Sequence, residues 1–182
     1  MIRMTGIDHM QAPVNVRSLF AFRKSRMPAV MERSKERLGA GGIVLLSTCN
    51  RIELWVNGGS GDLYEELCRE AEVDPDEYRE YFTSREGDEA VEHLFYLTCG
   101  LRSAIVAEDQ ILTQVNDALA FARENYETDN VLEVLFRTAV SAAKKVKTEV
   151  VFQHADGTAM EAALRMFRAS GFDPAGKTCM VI

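Results

Sequence analysis

Apolar residues in the first third of the chain follow two different spacings. Residues 2–8 are apolar and partly β-branched, residues 43–46 form a continuous apolar run, and residues 52–56 follow an alternating pattern. These three segments predict strands, and the second has the composition of a buried one. A helix is predicted over residues 28–38, because a proline suits its start and several glycines follow its end. A shorter helical stretch precedes it, marked by Val16, Leu19 and Phe20.

Beyond the third strand the pattern is helical from residue 62 to about residue 171. The segment 62–92 is strongly acidic, which is typical of a solvated helix face. Apolar stripes with helical spacing follow it, and they begin at Ala90, Ile111 and Val131. The third stripe is the longest and most regular.

The end of the chain changes pattern again. A last helix is predicted over residues 158–169, and residues 176–182 have the pattern of a loop that enters a buried strand. A strand at this position has little to pair with, so we expect the natural protein to continue. The predicted fold class is α+β, in which a small sheet with packed helices in the N-terminal third precedes a helical subdomain and the start of a long connecting helix.

Composition narrows the possible classes of protein. The 182 residues carry a formal net charge of −7, and a general nucleic-acid binder should instead present a basic face. Any RNA partner must therefore be held by a local patch, by its shape or by its esterified amino acid. The four cysteines form no C-x-x-C pair, which predicts reduced thiols in a cytosolic protein. No apolar run approaches the length of a membrane span.

Cys49 is the sharpest candidate for chemistry. It lies in a short polar turn after an apolar strand, two residues before Arg51. In an extended chain these two side chains point to the same side, and a nearby cation favours the thiolate, which is the nucleophilic form. The alternative for Cys49 is a small buried structural residue. Arg51 is either a fork for a substrate carboxylate or an exposed charge at the end of a strand.

His93 and the segment 103–114 are the other candidates. His93 is predicted at the edge of a helical apolar stripe, where it is either a proton donor and acceptor or an ordinary half-buried residue. In the segment, polar residues interrupt a hydrophobic stretch: Ser103, Glu108, Gln110 and Gln114. The alternative for this segment is a helix N-terminus, where acidic side chains complement the helix dipole.

At these positions the chain resembles the glutamyl-tRNA reductase family. Five blocks carry the resemblance in the family's order. The first is Gly6-Ile7-Asp8-His9 with Ala12-Pro13-Val14 and Arg17, and the second is Ser47-Thr48-Cys49-Asn50-Arg51 with Glu53. The third is His93-Leu94-Phe95 with Gly100-Leu101, the fourth is Ser103 with Glu108-Asp109-Gln110-Ile111-Leu112 and Gln114, and the fifth is the basic run Ala142 to Glu149. Together they extend over nearly the whole chain.

The resemblance implies a reaction and its residues. Cys49 would attack the aminoacyl ester of glutamyl-tRNA, and NADPH would reduce the resulting thioester to glutamate-1-semialdehyde for tetrapyrrole and heme synthesis. Arg51 would bind the substrate carboxylate, and His93 would transfer protons. The remaining glutamate-binding residues would be Thr48, Asn50, Ser103, Glu108, Asp109, Gln110 and Gln114.

Departures from the family pattern also lead to expectations. Family members usually have glycine where this chain has Ala107 and Thr113, so extra side chains could crowd the pocket. The expected organisation is a catalytic, glutamate-recognising domain over 1–155, a connecting helix over 156–175 and the first strand of a missing NADPH-binding domain over 176–182. We expect a fragment that cannot complete the reduction alone, rather than a naturally truncated relative.

The resemblance implies partners as well. They are glutamyl-tRNA, the next enzyme glutamate-1-semialdehyde aminomutase and, in the full-length form, a second subunit of a homodimer. The alternative is a non-catalytic module of the same family that binds tRNA or a regulator.

Overall fold

A four-stranded antiparallel sheet forms the centre of the protein. The structure is a computed structural model that describes residues 1–102, 109–150, 159–171 and 176. The strands are β1 (Ile2–Asp8), β2 (Gly42–Ser47), β3 (Arg51–Asn57) and β4 (Thr83–Glu86). Their order in the sheet is β2-β3-β1-β4, so β1 and β3 are the inner strands.

Seven α-helices surround or follow this sheet in the described part of the chain. They are α1 (Val14–Arg17), α2 (Met27–Leu38), α3 (Leu63–Ala71), α4 (Gly87–Thr98), α5 (Asp109–Glu124), α6 (Asn130–Glu149) and α7 (Ala159–Ala169). Two 3₁₀ turns cover Ser18–Phe20 and Arg79–Tyr81. This arrangement confirms the predicted α+β fold class. Among the described residues, no helix is both long and apolar enough to cross a membrane.

The inner strand β3 is covered on both faces, because every residue from Arg51 to Val56 is buried. On one face Trp55 stacks on His93 of α4 and meets Phe136 of α6 edge to face. The register places Asp8 opposite Arg51 at one end of the β1–β3 pair. A polar end of the sheet therefore lies beside a tightly packed aromatic centre.

Helices α2 and α3 are joined by a charged cluster. Glu66 and Glu70 of α3 are buried, and both contact Arg37 of α2, while Arg33 donates to Glu70 at 2.5 Å. Burial alone would raise the pKa of Glu70, but hydrogen bonds from the two arginines lower it. The prediction that the acidic segment is a solvated face is therefore wrong at these two positions.

Strand β4 was not predicted from the sequence. Its residues Thr83–Glu86 are polar and alternate between half-buried and exposed, so the strand has no apolar side to mark it. It is recognised by its pairing with β1 at the edge of the sheet. The helical pattern predicted from residue 62 is interrupted here, and the predicted final strand at 176–182 lies outside the described residues apart from residue 176.

Candidate active site

Cys49 lies at the tip of the tight connection between β2 and β3. The Thr48 hydroxyl accepts hydrogen bonds from the backbone N–H groups of Asn50 (3.2 Å) and Arg51 (3.1 Å), and the Thr48 N–H donates to the Arg51 carbonyl at 2.8 Å. A threonine hydroxyl that caps two backbone donors fixes a turn of this kind. The turn holds Cys49 outward, and the residue is exposed.

The other described cysteines have a different environment. Cys68 and Cys99 are buried in helical regions, and burial raises the pKa of both thiols. A raised pKa reduces the thiolate fraction and hence the reactivity of a cysteine. The structure therefore places Cys49 as the exposed thiol among the three described cysteines.

The cation in contact with the turn is Arg17, which the sequence interpretation did not single out as a site residue. Its Nη1 donates to the Ala12 carbonyl at 2.5 Å and its Nη2 to the Cys49 carbonyl at 3.5 Å. The end of α1 is thereby joined to the nucleophile turn. Arg17 lies 32 residues before Cys49 in the chain, so no local spacing in the sequence indicates this contact.

Arg51 is buried behind the turn, with 2% of its surface exposed. Its Nη1 donates to Glu53 at 2.8 Å and its Nη2 to the Arg102 carbonyl at 2.5 Å. The interpretation of Arg51 as an exposed charge is therefore wrong. These contacts use two of the five N–H donors of the guanidinium group.

Glu53 is the centre of this buried polar network. One carboxylate oxygen accepts a hydrogen bond from Arg51 Nη1 and lies 3.0 Å from His93 Nε2. The other oxygen accepts a hydrogen bond from Trp55 Nε1 at 3.1 Å. Burial alone would raise the pKa of Glu53. The hydrogen bond and charge of His93, together with Arg51, outweigh burial and lower the pKa to about 2. Glu53 is therefore ionised at neutral pH and fixes both partners.

The sequence interpretation underestimated Glu53. It was recognised as part of a motif but was not assigned to the site. The available signal is its position in β3, where alternation places it on the same face as Arg51 and Trp55. A carboxylate on the buried face of an inner strand needs a cationic or hydrogen-bonding partner. Arg51 and His93 were already candidate site residues.

His93 is more deeply buried than the sequence indicated. It was predicted at the rim of the apolar stripe, but it is only 4% exposed and belongs to the buried side of α4 with Ala90, Leu94 and Leu97. The prediction of a rim position is wrong, because the helix packs this side directly on Trp55. Its Nδ1 has no hydrogen-bond partner within the described residues.

One cavity borders this network, and a second begins at the nucleophile turn. The first, about 190 Å³, includes the charged and polar side chains of Asp8, Glu53, His93, Arg85 and Arg102 in its lining. The second is a cleft of about 350 Å³ at the edge of β2, and its polar lining includes Thr48 and Gln114. Arg51 also lies 4.0 Å from Asp8, which lines the first cavity.

The structure brings together some of the residues that were predicted to bind the substrate. Thr48 and Gln114 share the larger cleft, and Asn50 is half-buried in the turn. Gln110 and Thr113 are exposed on α5. Ser103, Ala107 and Glu108 lie outside the described residues, as does the side chain of Asp109.

Comparisons with known proteins find related sequences over most of the chain. Residues 5–150 match the family described as glutamyl-tRNAGlu reductase, N-terminal domain. Glutamyl-tRNA reductase of Alkaliphilus oremlandii is 38% identical over 170 residues, which are 92% of this chain and 51% of that protein. The Acetivibrio thermocellus enzyme is 39% identical over 169 residues, which are 91% of this chain and 51% of that protein. The chain thus spans about half the length of these relatives.

A solved structure shows the same fold. Glutamyl-tRNA reductase from Methanopyrus kandleri superposes with a TM-score of 0.74 and 29% sequence identity, over 92% of this chain and 39% of that one. The match covers most of the chain rather than a single motif. By its sequence and its fold, the chain belongs to the glutamyl-tRNA reductase family and carries the N-terminal domain of that family.

Proposed function

We propose that this chain carries the thiol-bearing, glutamate-recognising part of a glutamyl-tRNA reductase. The observation that supports this most strongly is the exposed Cys49 on a fixed turn, with the buried Arg51–Glu53–His93 network directly behind it. An exposed thiol on a rigid turn is accessible to an ester, and a buried charged network supplies recognition and proton transfer.

In the proposed first stage, the Cys49 thiolate attacks the ester carbonyl carbon of glutamyl-tRNA. The bond between that carbon and the terminal ribose oxygen breaks, and the oxygen leaves with a proton. The product on the protein is a glutamyl thioester, which retains a reactive carbonyl.

Arg51 is the proposed partner of the substrate carboxylate. Its guanidinium group is held by Glu53 and the Arg102 carbonyl, so it is oriented before the substrate binds. A preorganised fork loses little side-chain entropy when it pairs with a carboxylate. Glu53 is a positioning residue in this scheme, because it acts through Arg51 and His93.

His93 is the proposed group for proton transfer. Its Nε2 is fixed by Glu53, and its Nδ1 remains without a partner in the described part of the chain. One ring nitrogen is thereby oriented and the other is available for a proton. Thr48, Asn50 and Gln114, with Ser103 and Glu108 to Gln110 from the family pattern, complete the proposed glutamate site.

The whole enzyme would take its hydride from NADPH and form glutamate-1-semialdehyde for tetrapyrrole synthesis. The described residues do not fit a dinucleotide, because their sheet is antiparallel and contains no strand, glycine-rich turn and helix unit. We therefore assign no residue of this chain to the reduction. The proposed organisation is a catalytic domain over 1–155, a connecting helix over 156–175 and the first strand of an NADPH-binding domain over 176–182. For the full-length form we also propose glutamate-1-semialdehyde aminomutase as a partner and a homodimer as the assembly.

Trapping of the thioester tests the first stage. The chain is incubated with glutamyl-tRNA labelled in the glutamate, quenched in acid and digested, and the labelled peptide is identified by mass spectrometry. We expect the label on Cys49, its loss in Cys49→Ser and its retention in Cys68→Ser, a matched control at a buried thiol. Label on Cys68 would contradict the assignment of Cys49 as the nucleophile, and no label on any cysteine would favour the non-catalytic binding module.

A further inference from the structure

Arg17 contacts the nucleophile turn but has no role in the proposed first stage. It is the last residue of α1, and the residue before it, Val16, is buried in the core and anchors the helix. Its guanidinium group donates to the carbonyl oxygens of Ala12 and Cys49, which are neutral backbone acceptors. Arg17 has no ion-pair partner among the described residues. Its positive charge is therefore not neutralised at the turn.

The guanidinium group of Arg17 also has unused hydrogen-bond donors. Its Nε is buried and has no hydrogen-bond partner within the described part of the chain. Its Nη2 lies 3.5 Å from the Cys49 carbonyl oxygen, which is longer than an ordinary N–H···O hydrogen bond. A buried donor without a partner and a long, weak hydrogen bond both favour a stronger acceptor, and an anionic oxygen is such an acceptor.

A second arginine beside the turn, Arg51, is placed differently. Arg51 is buried and paired with the ionised Glu53, whereas Arg17 is half-buried at the end of α1. Covalent geometry keeps the Sγ of Cys49 within roughly 5 Å of its own carbonyl oxygen, which is the atom that Arg17 contacts. An oxygen on a carbon bonded to this sulfur therefore forms within reach of the long Arg17 side chain.

We infer that Arg17 is a further catalytic residue, and that its guanidinium group binds the oxyanion formed when Cys49 attacks the ester. The inference rests on the proposed function. As the thiolate bonds to the carbonyl carbon, one electron pair of the C=O double bond moves onto the oxygen, which becomes negative. When the intermediate collapses, this pair re-forms the double bond and the bond to the ribose oxygen breaks. A cation held at the oxyanion stabilises the transition state more than it stabilises the neutral ester.

Two small reagents test this role, because neither contains glutamate or RNA. p-Nitrophenyl acetate acylates a thiolate through an oxyanion and releases p-nitrophenolate. Iodoacetamide alkylates a thiolate by displacement of iodide and forms no oxyanion. Both rates at Cys49 are measured by peptide mapping of the whole chain, with Cys49→Ser as the blank. Acylation by glutamyl-tRNA is measured in the same variants.

The expected pattern distinguishes acylation from alkylation. Arg17→Gln should slow acylation of Cys49 by p-nitrophenyl acetate and by glutamyl-tRNA about tenfold or more, because loss of an oxyanion donor has effects of this size. Alkylation by iodoacetamide should stay nearly unchanged. Arg17→Lys keeps the charge and should recover part of the acylation rate. Arg23→Gln, the same change at an exposed arginine in the loop before α2, should leave all three rates unchanged.

Three results would overturn the inference. Equal slowing of acylation and alkylation in Arg17→Gln would show that Arg17 only holds the turn in place. Slowing with glutamyl-tRNA but not with p-nitrophenyl acetate would show a contact with the RNA instead. An Arg17→Lys variant as slow as Arg17→Gln would show that the charge is not what matters.

Thermal melts identify any variant that has lost its fold. If Arg17→Gln does not fold, the comparison of acylation with alkylation is made on Arg17→Lys, with the same two outcomes. Equal acylation by glutamyl-tRNA in the parent and in Arg17→Gln would retain the proposed function and remove this inference alone. A parent chain that glutamyl-tRNA does not acylate at Cys49 would instead remove the proposed function, and this inference with it.

Discussion

The ionised Glu53 predicts a specific dependence of stability on pH. Its pKa in the folded protein is about 2, below the ordinary glutamate value of 4.5. A difference of about 2.5 pKa units, at about 1.36 kcal/mol each, corresponds to roughly 3 kcal/mol of folding free energy. Because the folded pKa is depressed, this contribution is fully present above pH 4.5 and is lost as pH falls toward 2.

Glu53→Gln removes the charge and keeps nearly the same shape. The substitution leaves Arg51 buried beside a neutral amide, and an uncompensated buried charge costs about 3–5 kcal/mol. We therefore expect the free energy of unfolding at pH 7 to fall by about 3 kcal/mol. The difference between the variant and the parent should shrink as the pH is lowered below 4.5.

Urea denaturation at a series of pH values measures this difference. Glu36→Gln is the control, because Glu36 is an exposed carboxylate of α2 and its loss should change stability by less than about 0.5 kcal/mol. Other carboxylates, such as Glu70, titrate equally in parent and variant, so the difference isolates Glu53. A loss below about 1 kcal/mol, or one that is the same at pH 3 and pH 7, would refute the buried network.

Three further substitutions probe the same site. Arg51→Lys keeps the charge but loses the fork, so it should slow Cys49 acylation by glutamyl-tRNA at least tenfold or so, and parity with the parent would contradict the carboxylate role. Because His93 is buried, His93→Asn should lower both acylation and the free energy of unfolding, the latter by roughly 1–3 kcal/mol; melts and rates measured together would expose a purely structural effect. Gly6→Ala places a Cβ 2.6 Å from Glu53 Cγ and 2.7 Å from the Ile52 carbonyl oxygen, so it should destabilise the protein by about 1–3 kcal/mol, and an unchanged melt would show that β1 and β3 can separate.

The sequence predicted the elements that carry a clear apolar period. The first three strands appear as β1, β2 and β3, and the predicted helix over 28–38 appears as α2 within one residue at its start. The long stripe from Val131 corresponds to α6. In each of these the side-chain period and the burial agree, so local pattern was sufficient.

Elements defined by distant contacts could not be predicted in the same way. Strand β4 has polar residues and exists through its pairing with β1. Glu66 and Glu70 were assigned to a solvated face, because only the folded protein brings Arg33 and Arg37 of α2 against them. Sequence spacing does not show which charges meet across two helices.

The candidate site also combines features that local sequence predicts with features that depend on tertiary packing. The exposed Cys49 turn follows from local sequence, since a polar segment joins two apolar strands. The contact of Arg17 with that turn and the burial of His93 depend on tertiary packing. The role of Glu53 depends on both local sequence and tertiary packing. Strand alternation places Glu53 on the buried face of β3, and α4 supplies its partner His93.

Release of glutamate from glutamyl-tRNA tests the central claim most directly. The chain and its Cys49→Ser variant are incubated with glutamyl-tRNA labelled in the glutamate, each with and without NADPH, and the products are separated. Under the proposed function, water is the acceptor of the thioester when no hydride reaches it. We predict slow release of free glutamate that requires Cys49 and is indifferent to NADPH. Release that persists at the parent's rate in Cys49→Ser would contradict the nucleophile assignment, and formation of the semialdehyde would contradict the claim that this chain cannot complete the reduction alone.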